Sequence, residues 1–300
     1  SIDSYSLMAV PFYIIAGGFL DKGGVSKRLV NLADALVGWL PGGLAVVTFL
    51  ASAFFGAISG SAAATVAAIG GLLYPSMIER GYDQRFSLAT ISIGGILGII
   101  IPPSIPMVLF GISASVDVSK IFMGGIIPGI LLVVAMSIYS VIYGKRHNLE
   151  TKKFELRALG HALKDAIWAL LMPLIILGGI YAGIMTPTEA AAVAIIYGLI
   201  VGLCIYRELS AKMLVKIVTD AVASSGQIMF IVAGASAFGY VMTRENVPTK
   251  VANFITGVAG NYWVFYLLVI LLLLFVGTFM EVAPATMLLS PILVPCISAY

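Results

Sequence analysis

The sequence predicts an all-α polytopic membrane protein built on an inverted repeat, with two re-entrant helical hairpins and broken transmembrane helices. Hydrophobic residues make up 60% of the 300-residue chain and charged residues only 10%, whereas soluble domains carry about 25% charged residues. Several apolar runs reach the roughly 20 residues that are needed to cross a bilayer. In addition, features of the first half of the chain recur in the same order in the second half.

The first repeat is predicted to cover residues 1–143. It starts with a span at Ser6–Leu20, and an arm helix at Val25–Trp39 follows, with its apolar residues on one face. The next apolar run, 41–78, is interrupted near its middle by Ser59-Gly60-Ser61. Its two halves, of about 15 residues each, are short for spans. They are the natural length for a re-entrant hairpin with these small polar residues at its tip.

The most unusual stretch is Gly98-Ile-Ile-Ile-Pro-Pro-Ser-Ile-Pro106, within the apolar segment 86–115. Its three prolines lack N–H donors and force the residues before them away from helix. In hydrocarbon, each unpaired backbone group costs several kcal/mol, so irregular backbone survives there only against protein or a polar cavity. The sequence therefore predicts a functional break in this helix, with a plain proline kink as the alternative.

The remaining segments continue the alternation of apolar spans and polar connections. A span at 121–143 completes the first repeat, and a cytoplasmic loop, two connecting spans and a truncated, inverted second repeat follow it. The predicted ranges are 144–165 for the loop, 166–206 for the connecting spans and 207–300 for the second repeat, which contains a span at 214–241, an arm helix at 247–258 and a hairpin at 262–300.

Internal similarity supports the duplication. Gly56 corresponds to Gly277, and the pair Ala64-Thr65 corresponds to Ala285-Thr286 at the same spacing. Five predicted spans separate the two copies, and an odd number places the second copy upside down in the membrane. Inverted-topology repeats are typical of secondary transporters.

Loop charges agree with this topology. Basic residues concentrate in the loops on one side, which the positive-inside rule assigns to the cytoplasm. The first hairpin then opens from the cytoplasmic side and the second from the outer side. The cytoplasmic basic residues are Lys22, Lys27, Arg28, Arg80, Arg85, the cluster between Lys145 and Lys164, Arg207, Lys212 and Lys216, against Lys120, Arg244 and Lys250 on the other side.

The tip of the first hairpin and the broken helix together predict a cation site. The prolines free carbonyl groups near Gly98 and Ile101, and the tip offers the hydroxyls of Ser59 and Ser61. Carbonyl and hydroxyl oxygens suit a hard cation such as Na⁺. Helix N-termini at the same breaks would direct positive dipole ends toward an anionic substrate. Candidate substrate contacts at these breaks are Gly60, Pro103 and Ser104.

A second, incomplete site is predicted in the second hairpin. Gly277 and Thr278 correspond to the first ion site, whereas the counterpart of Gly98 would lie beyond residue 300. The chain is therefore expected to be a fragment with one complete site and half of another. Glu281 and Thr286 are further substrate candidates, since an acid within a membrane segment is functional by default, although at a hairpin tip Glu281 could simply face water.

Several stretches resemble the large membrane subunit, of the DctM type, of tripartite ATP-independent periplasmic (TRAP) transporters. The resemblance covers nearly the whole chain and is strongest in the Ser-Gly-Ser hairpin, the Arg80-Gly81-Tyr82 loop and the Pro-Pro-Ser-Ile-Pro break. It implies an elevator-type importer in the bacterial inner membrane, driven by Na⁺ without ATP, and its cation sites map onto Ser59, Ser61, Gly98, Ile101, Pro102 and the Gly277 region.

The resemblance also implies partners. These are a small membrane subunit and a periplasmic binding protein that delivers a carboxylate-bearing solute, such as a C4-dicarboxylate or a sugar acid. A stand-alone Na⁺- or H⁺-coupled organic-anion transporter remains an alternative. An enzyme is not expected, because both histidines lie in one polar loop and neither His-Glu-x-x-His nor Gly-x-Ser-x-Gly occurs. No cofactor, no metal beyond Na⁺ and no nucleic-acid partner is predicted.

Overall fold

The structure, a computed structural model, describes residues 5–247, 250–251 and 261–297, and the regular elements of this part of the chain are all helices. The first half begins with a 3-10 turn at Tyr5–Met8. It continues through α1 (Ala9–Lys22), α2 (Val25–Val37), α3 (Gly43–Ser59), α4 (Ala62–Glu79), α5 (Gln84–Ile100), α6 (Ile105–Ala114) and α7 (Val118–Arg146).

The described part of the second half contains five further helices. The predicted arm helix at 247–258 falls largely outside the described residues, as do the last three residues of the predicted hairpin at 262–300. The helices are α8 (Leu156–Tyr181), α9 (Pro187–Ile200), which a π-helical turn extends over Val201–Ile205, α10 (Ala211–Arg244), α11 (Tyr262–Gly277) and α12 (Val282–Ile297).

Helix α3 lies at the centre of the core. All of its residues are buried except Leu50 and Phe54, which are half-buried, and it packs against α1, α2, α4, α5, α7 and α8. A helix that is apolar on every side belongs in an interior. The first arm of the predicted hairpin is thus surrounded by protein.

The outer helices present apolar surface. Along α7, for example, Ile127, Leu131 and Ile138 are exposed, as expected for side chains that face lipid. Among the described helices, five are long and apolar enough to cross a membrane, and six if α5 and α6 count as one bent span. The prediction of an all-helical, polytopic membrane protein is confirmed, whereas the re-entrant and inverted arrangement of the hairpins stays a prediction.

The loop predicted at 144–165 is shorter in the structure. Helix α7 continues to Arg146 and α8 already begins at Leu156, so only the stretch between them is free of helix. The charged residues there suggested a loop, but both helices extend beyond their apolar spans. Asp165, in the first part of α8, faces the Nε atom of Arg28 at 3.4 Å.

Arg28 fastens α2 to its neighbours. Its Nη1 atom lies 2.7 Å from Oε1 of Glu208, and its guanidinium lies 3.6 Å above the ring centre of Tyr206. Together with the contact to Asp165, these interactions tie the arm helix to α8 and to the connection between α9 and α10. The arm predicted to lie at the membrane interface therefore has fixed polar anchors.

A close backbone contact between α7 and the start of α3 yields a stability prediction. A Cβ atom at Gly144 would overlap the backbone of Pro41 and Gly42, whereas one at Gly124, on the same helix, would meet nothing within 4 Å. We expect Gly144→Ala to lower the free energy of unfolding of the protein by about 1–3 kcal/mol, the usual cost of overpacking. Thermal unfolding in detergent measures it.

The matched control is Gly124→Ala. It should leave stability unchanged or raise it by up to about 1 kcal/mol, because alanine favours helix over glycine. Equal destabilisation by both variants would contradict the close packing of α7 on the α2–α3 connection.

Candidate functional site

The tip of the first hairpin consists of two residues between α3 and α4. Gly60 has a positive φ of 61°, a conformation that glycine adopts without strain. Ser61 is the N-cap of α4, where its Oγ atom accepts a hydrogen bond of 3.4 Å from the Ala64 amide. The Ser-Gly-Ser sequence thus ends one helix and begins the next with only Gly60 and Ser61 between them.

Three oxygen atoms gather on the inner side of this tip. The hydroxyls of Ser59 and Thr65 lie 3.2 Å apart, and Thr65 also donates a hydrogen bond of 2.8 Å to the Ser61 carbonyl oxygen. The side chains of Ser59 and Thr65 are almost completely buried. We call these three atoms, the Oγ of Ser59, the Oγ1 of Thr65 and the carbonyl oxygen of Ser61, the oxygen cluster.

The broken helix is the second part of the site. Helices α5 and α6 meet at an angle of 45°. Pro102 and Pro103 cannot donate the amide hydrogen bonds that the carbonyls of Gly98 and Ile99 would receive in a continuous helix. The Ser104 hydroxyl replaces one of them, because it donates a hydrogen bond of 2.6 Å to the Ile99 carbonyl. The Gly98 carbonyl loses its helical donor at the break, and so does the Ile101 carbonyl, because the Ile105 amide donates to the Gly60 carbonyl instead.

Hairpin tip and broken helix are directly joined. The Ile105 amide, at the start of α6, donates a hydrogen bond of 3.2 Å to the Gly60 carbonyl. One turn before the tip on α3, a Cβ atom at Gly56 would lie 2.8 Å from the Gly98 Cα atom. A Cβ at Gly98 would lie 2.8 Å from the Ser61 carbonyl oxygen and would overlap the Thr65 hydroxyl. Only glycine at position 98 allows the break to approach the oxygen cluster this closely.

Four helix ends converge at this place. The C-terminal ends of α3 and α5 contribute partial negative charge from their carbonyl groups, and the N-terminal ends of α4 and α6 contribute partial positive charge from their amides. The oxygen cluster lies between the C-terminal ends of α3 and α5 and the first turn of α4, which supplies Thr65 and the Ser61 carbonyl. The arrangement can hold a cation and an anion close together without any ionised side chain.

The predicted first-site residues are therefore brought together with different roles. Ser59, Ser61 and Gly98 surround the oxygen cluster, and Gly60 and Ser104 join the two backbone breaks. Pro103 also belongs to the junction, since its carbonyl oxygen would lie 2.9 Å from a Cβ atom at Gly60. Both hydrogen-bonding directions of the Ser104 hydroxyl are already used, because it also accepts from the Met107 amide at 3.5 Å.

Ile101 and Pro102 mark the irregular stretch itself. The Ile101 amide still donates to the Leu97 carbonyl at 3.0 Å, while its side chain packs toward Gly129 of α7. Only its backbone carbonyl is suited to a cation. Pro102 is buried, and its contribution is that it has no amide hydrogen to donate to the Gly98 carbonyl.

The second predicted group lies elsewhere. Gly277, Thr278 and Glu281 are exposed and Thr286 is half-buried. The Thr278 hydroxyl donates to the Phe275 carbonyl at 2.7 Å. Among the described residues, no hydrogen bond links this group to the oxygen cluster. Helix α12 instead packs against α6, where the hydroxyl of Ser113 lies 3.5 Å from the carbonyl oxygen of Met287.

Thr65 was not among the predicted site residues. The internal repeat could have indicated it, because Ala64-Thr65 corresponds to Ala285-Thr286 and Thr286 was a substrate candidate. Its position within the first turn of α4 turns its hydroxyl back toward Ser59 and the tip, which only the structure reveals.

The close approach at Gly98 gives a sharp prediction. We expect Gly98→Ala to abolish the transport activity that the sequence predicts, because the added methyl group occupies space beside the oxygen cluster. The control is Gly71→Ala on α4, where a Cβ atom would meet nothing within 4 Å. Uptake into proteoliposomes measures both variants, and thermal unfolding checks their folding. Wild-type uptake by a folded Gly98→Ala variant would contradict the placement of the site.

Comparison with known proteins identifies the protein family in which this site occurs. The chain matches the family model of the tripartite ATP-independent periplasmic transporter, DctM component, over residues 1–300. It is similar to the isethionate TRAP transporter permease protein DctMQ of Oleidesulfovibrio alaskensis, with 47% identity over 299 residues that cover 99% of this chain and 47% of the relative.

Two other relatives share the large-permease name. The C4-dicarboxylate TRAP transporter large permease protein DctM of Pseudomonas aeruginosa is 39% identical over 294 residues, 98% of this chain and 69% of that protein. The sialic acid TRAP transporter large permease protein SiaM of Vibrio cholerae is 36% identical over 299 residues, 99% of this chain and 70% of that protein. The chain thus spans about half the length of the isethionate relative and about 70% of these two.

Proposed function

Because the chain belongs to the DctM component family of tripartite ATP-independent periplasmic transporters, we propose that it is the permease part of a secondary active transporter that imports an organic anion together with Na⁺. As a member of this family with five or six candidate spans among its described residues, it is a multi-pass protein of the bacterial inner membrane. Its relatives are named as transporter permeases and not as enzymes.

The single observation that carries the ion coupling is the oxygen cluster beside the broken helix. Ser59, Thr65 and the Ser61 carbonyl supply three neutral oxygens, and the carbonyl of Gly98 is available because Pro102 has no amide hydrogen. Hard cations prefer such oxygen ligands, and the C-terminal ends of α3 and α5 favour positive charge. We assign Na⁺ to this position. By the repeat, Gly277 and Thr278 would contribute to a second ion site.

The substrate site is proposed at the N-terminal ends of α4 and α6. Backbone amides at helix N-termini attract carboxylates and similar anions, and Gly60, Pro103 and Ser104 lie where these two ends meet. On this assignment the anion and Na⁺ bind next to each other, so each lowers the cost of desolvating the other. Glu281 and Thr286, on the second hairpin, remain candidates for contacts in another conformation.

The substrate is proposed to carry a carboxylate, as a C4-dicarboxylate or a sugar acid. The names of relatives support an anion: C4-dicarboxylate, sialic acid and 2,3-diketo-L-gulonate on one side and isethionate, a sulfonate, on the other. Helix N-termini bind either group. A sulfonate is therefore the second candidate substrate, and its uptake should be compared directly with that of the carboxylates.

The proposed transport movement is of the elevator type. The hydrogen bond between Ile105 and Gly60, and the contact of Gly56 with Gly98, join the first hairpin to the broken helix. Helices α2 and α8 are held together by Arg28 and would belong to the stationary frame. The proposed partners, a small membrane subunit and a periplasmic binding protein, follow from the family's tripartite description.

A sodium titration tests the ion site. We expect Ser59→Ala and Thr65→Val each to raise the Na⁺ concentration for half-maximal uptake by about tenfold, the effect of losing one interaction of about 1.4 kcal/mol. Uptake into proteoliposomes that contain the full-length complex, measured at rising external Na⁺, gives this concentration.

The controls match each variant. Ser140→Ala removes a buried hydroxyl that bonds to Met136 of its own helix. Thr48→Val removes a buried hydroxyl that bonds to Leu44 of its own helix and to the Met77 sulfur of α4 at 3.9 Å. These two variants should keep the wild-type sodium dependence. An unchanged sodium curve for both site variants, with folding intact, would exclude the oxygen cluster as the ion site.

A second experiment tests substrate and partners together. We expect the reconstituted full-length permease, with its small subunit, to accumulate an organic acid under an inward Na⁺ gradient alone and only when the loaded binding protein is added. A panel of C4-dicarboxylates, sugar acids and isethionate identifies the substrate class. Equal uptake without the binding protein would favour a stand-alone transporter, and uptake that follows a proton gradient instead would reject Na⁺ coupling.

A further inference from the structure

A cavity of about 490 Å³ lies outside the transport site, between the C-terminal end of α2 and the chain that leads into α8. Asp34 and Trp39 line it from the arm helix side, and Lys152, Lys153 and Glu155 line it from the other. The loop charges place this region at the cytoplasmic surface of the membrane. A pocket of this size accommodates a small polar ligand.

The cavity carries charges of both signs. Asp34 and Lys152 form an ion pair of 2.8 Å, which neutralises both. Lys153 and Glu155 are exposed, and neither has an ion-pair partner within the described part of the chain. The cavity therefore offers one free ammonium group and one free carboxylate, separated by a single residue. A ligand that has an anionic and a cationic group would match both.

Two aromatic rings form one wall of the cavity. Trp39 and Phe154 meet edge to face, with ring centroids 6.0 Å apart, and the Trp39 indole is oriented by a hydrogen bond of 2.9 Å to the Leu36 carbonyl. Both rings remain partly exposed, at 42% and 49%. Tryptophan in this position is typical of the level of lipid headgroups.

An apolar groove begins next to the cavity. Val37 and Leu40 of the same short stretch line it, together with α3 and one face of α7. Its α7 residues run from Ile142 to Val133, which is about 14 Å along the helix axis. Since α7 ends at Arg146 on the cytoplasmic side, the groove leads from the charged cavity into the hydrocarbon. Its volume is about 430 Å³.

From these neighbouring features we propose a specific phospholipid site, in which a zwitterionic headgroup of the phosphoethanolamine type occupies the cavity and one acyl chain occupies the groove. The phosphate faces Lys153 and the primary ammonium faces Glu155. The acyl chain lies along α7. The polar cavity alone would suit a soluble zwitterion, but the adjoining groove requires an apolar tail. This proposal rests only on the chain lying in a membrane and not on the transport mechanism.

Lipid titration of the detergent-solubilised full-length permease, followed by native mass spectrometry, tests the site. We expect phosphatidylethanolamine to bind several-fold more tightly than phosphatidylglycerol, which lacks the ammonium group, or phosphatidylcholine, whose methylated ammonium cannot donate hydrogen bonds. Equal binding of the three lipids would overturn the proposal. Soluble phosphoethanolamine should bind far more weakly, and equal affinity for it would reject the lipid in favour of a soluble ligand.

Variants separate the headgroup contacts from general lipid binding. Lys153→Ala combined with Glu155→Gln should weaken phosphatidylethanolamine binding about tenfold, in line with two lost charge-assisted hydrogen bonds that are partly exposed to water. The matched control combines Lys164→Ala with Glu150→Gln, which remove exposed charges that do not line the cavity. Val134→Phe, which fills the groove, should weaken binding without altering the preference among headgroups. Wild-type binding by the Lys153/Glu155 variant would overturn the headgroup assignment.

Discussion

Within the hydrocarbon of a membrane, every backbone polar group needs a partner inside the protein, and the first hairpin and the broken helix meet this need for each other. The chain interrupts two helices, at Gly60 and at Ile101–Ser104, and places the interruptions side by side. The Ile105 amide donates a hydrogen bond to the Gly60 carbonyl, and the Ser104 hydroxyl donates one to the Ile99 carbonyl. Neither interruption would be stable alone in lipid. Their pairing accounts for the buried position of α3 and for the small residues at Gly56 and Gly98.

The same pairing gives the site its chemistry. A helix that stops exposes carbonyl groups, and a helix that starts exposes amides. Two helix C-termini and two helix N-termini meet here, which produces adjacent regions of opposite partial charge without any buried ionised side chain. A buried ionised side chain would be costly in this environment. On the proposed assignment, the hydroxyl groups of Ser59 and Thr65 would add ligands at fixed positions, and an ion would enter and leave such a neutral site more readily than a charged one.

Much of this arrangement is visible in the sequence, and the remainder depends on packing. Prolines 102 and 103 and the Ser-Gly-Ser tip have strong local conformational preferences, so they predict the two interruptions correctly. Thr65 was missed because its role depends on how α4 faces α5, which no local preference determines. The extents of α7 and α8 around the 144–165 region were underestimated, since charged residues continue a helix beyond its apolar span. The Gly277 group remains separate from the oxygen cluster because it belongs to the other hairpin.

The hydrogen bond from Ile105 to Gly60 has a consequence for energetics. If tip and broken helix travel as one body, the distances among the coordinating oxygens stay constant wherever that body stands. The intrinsic affinity for the ion is then equal on both sides of the membrane. The direction of net flux would be determined by the concentrations in the two compartments, and accessibility alone would change during the cycle.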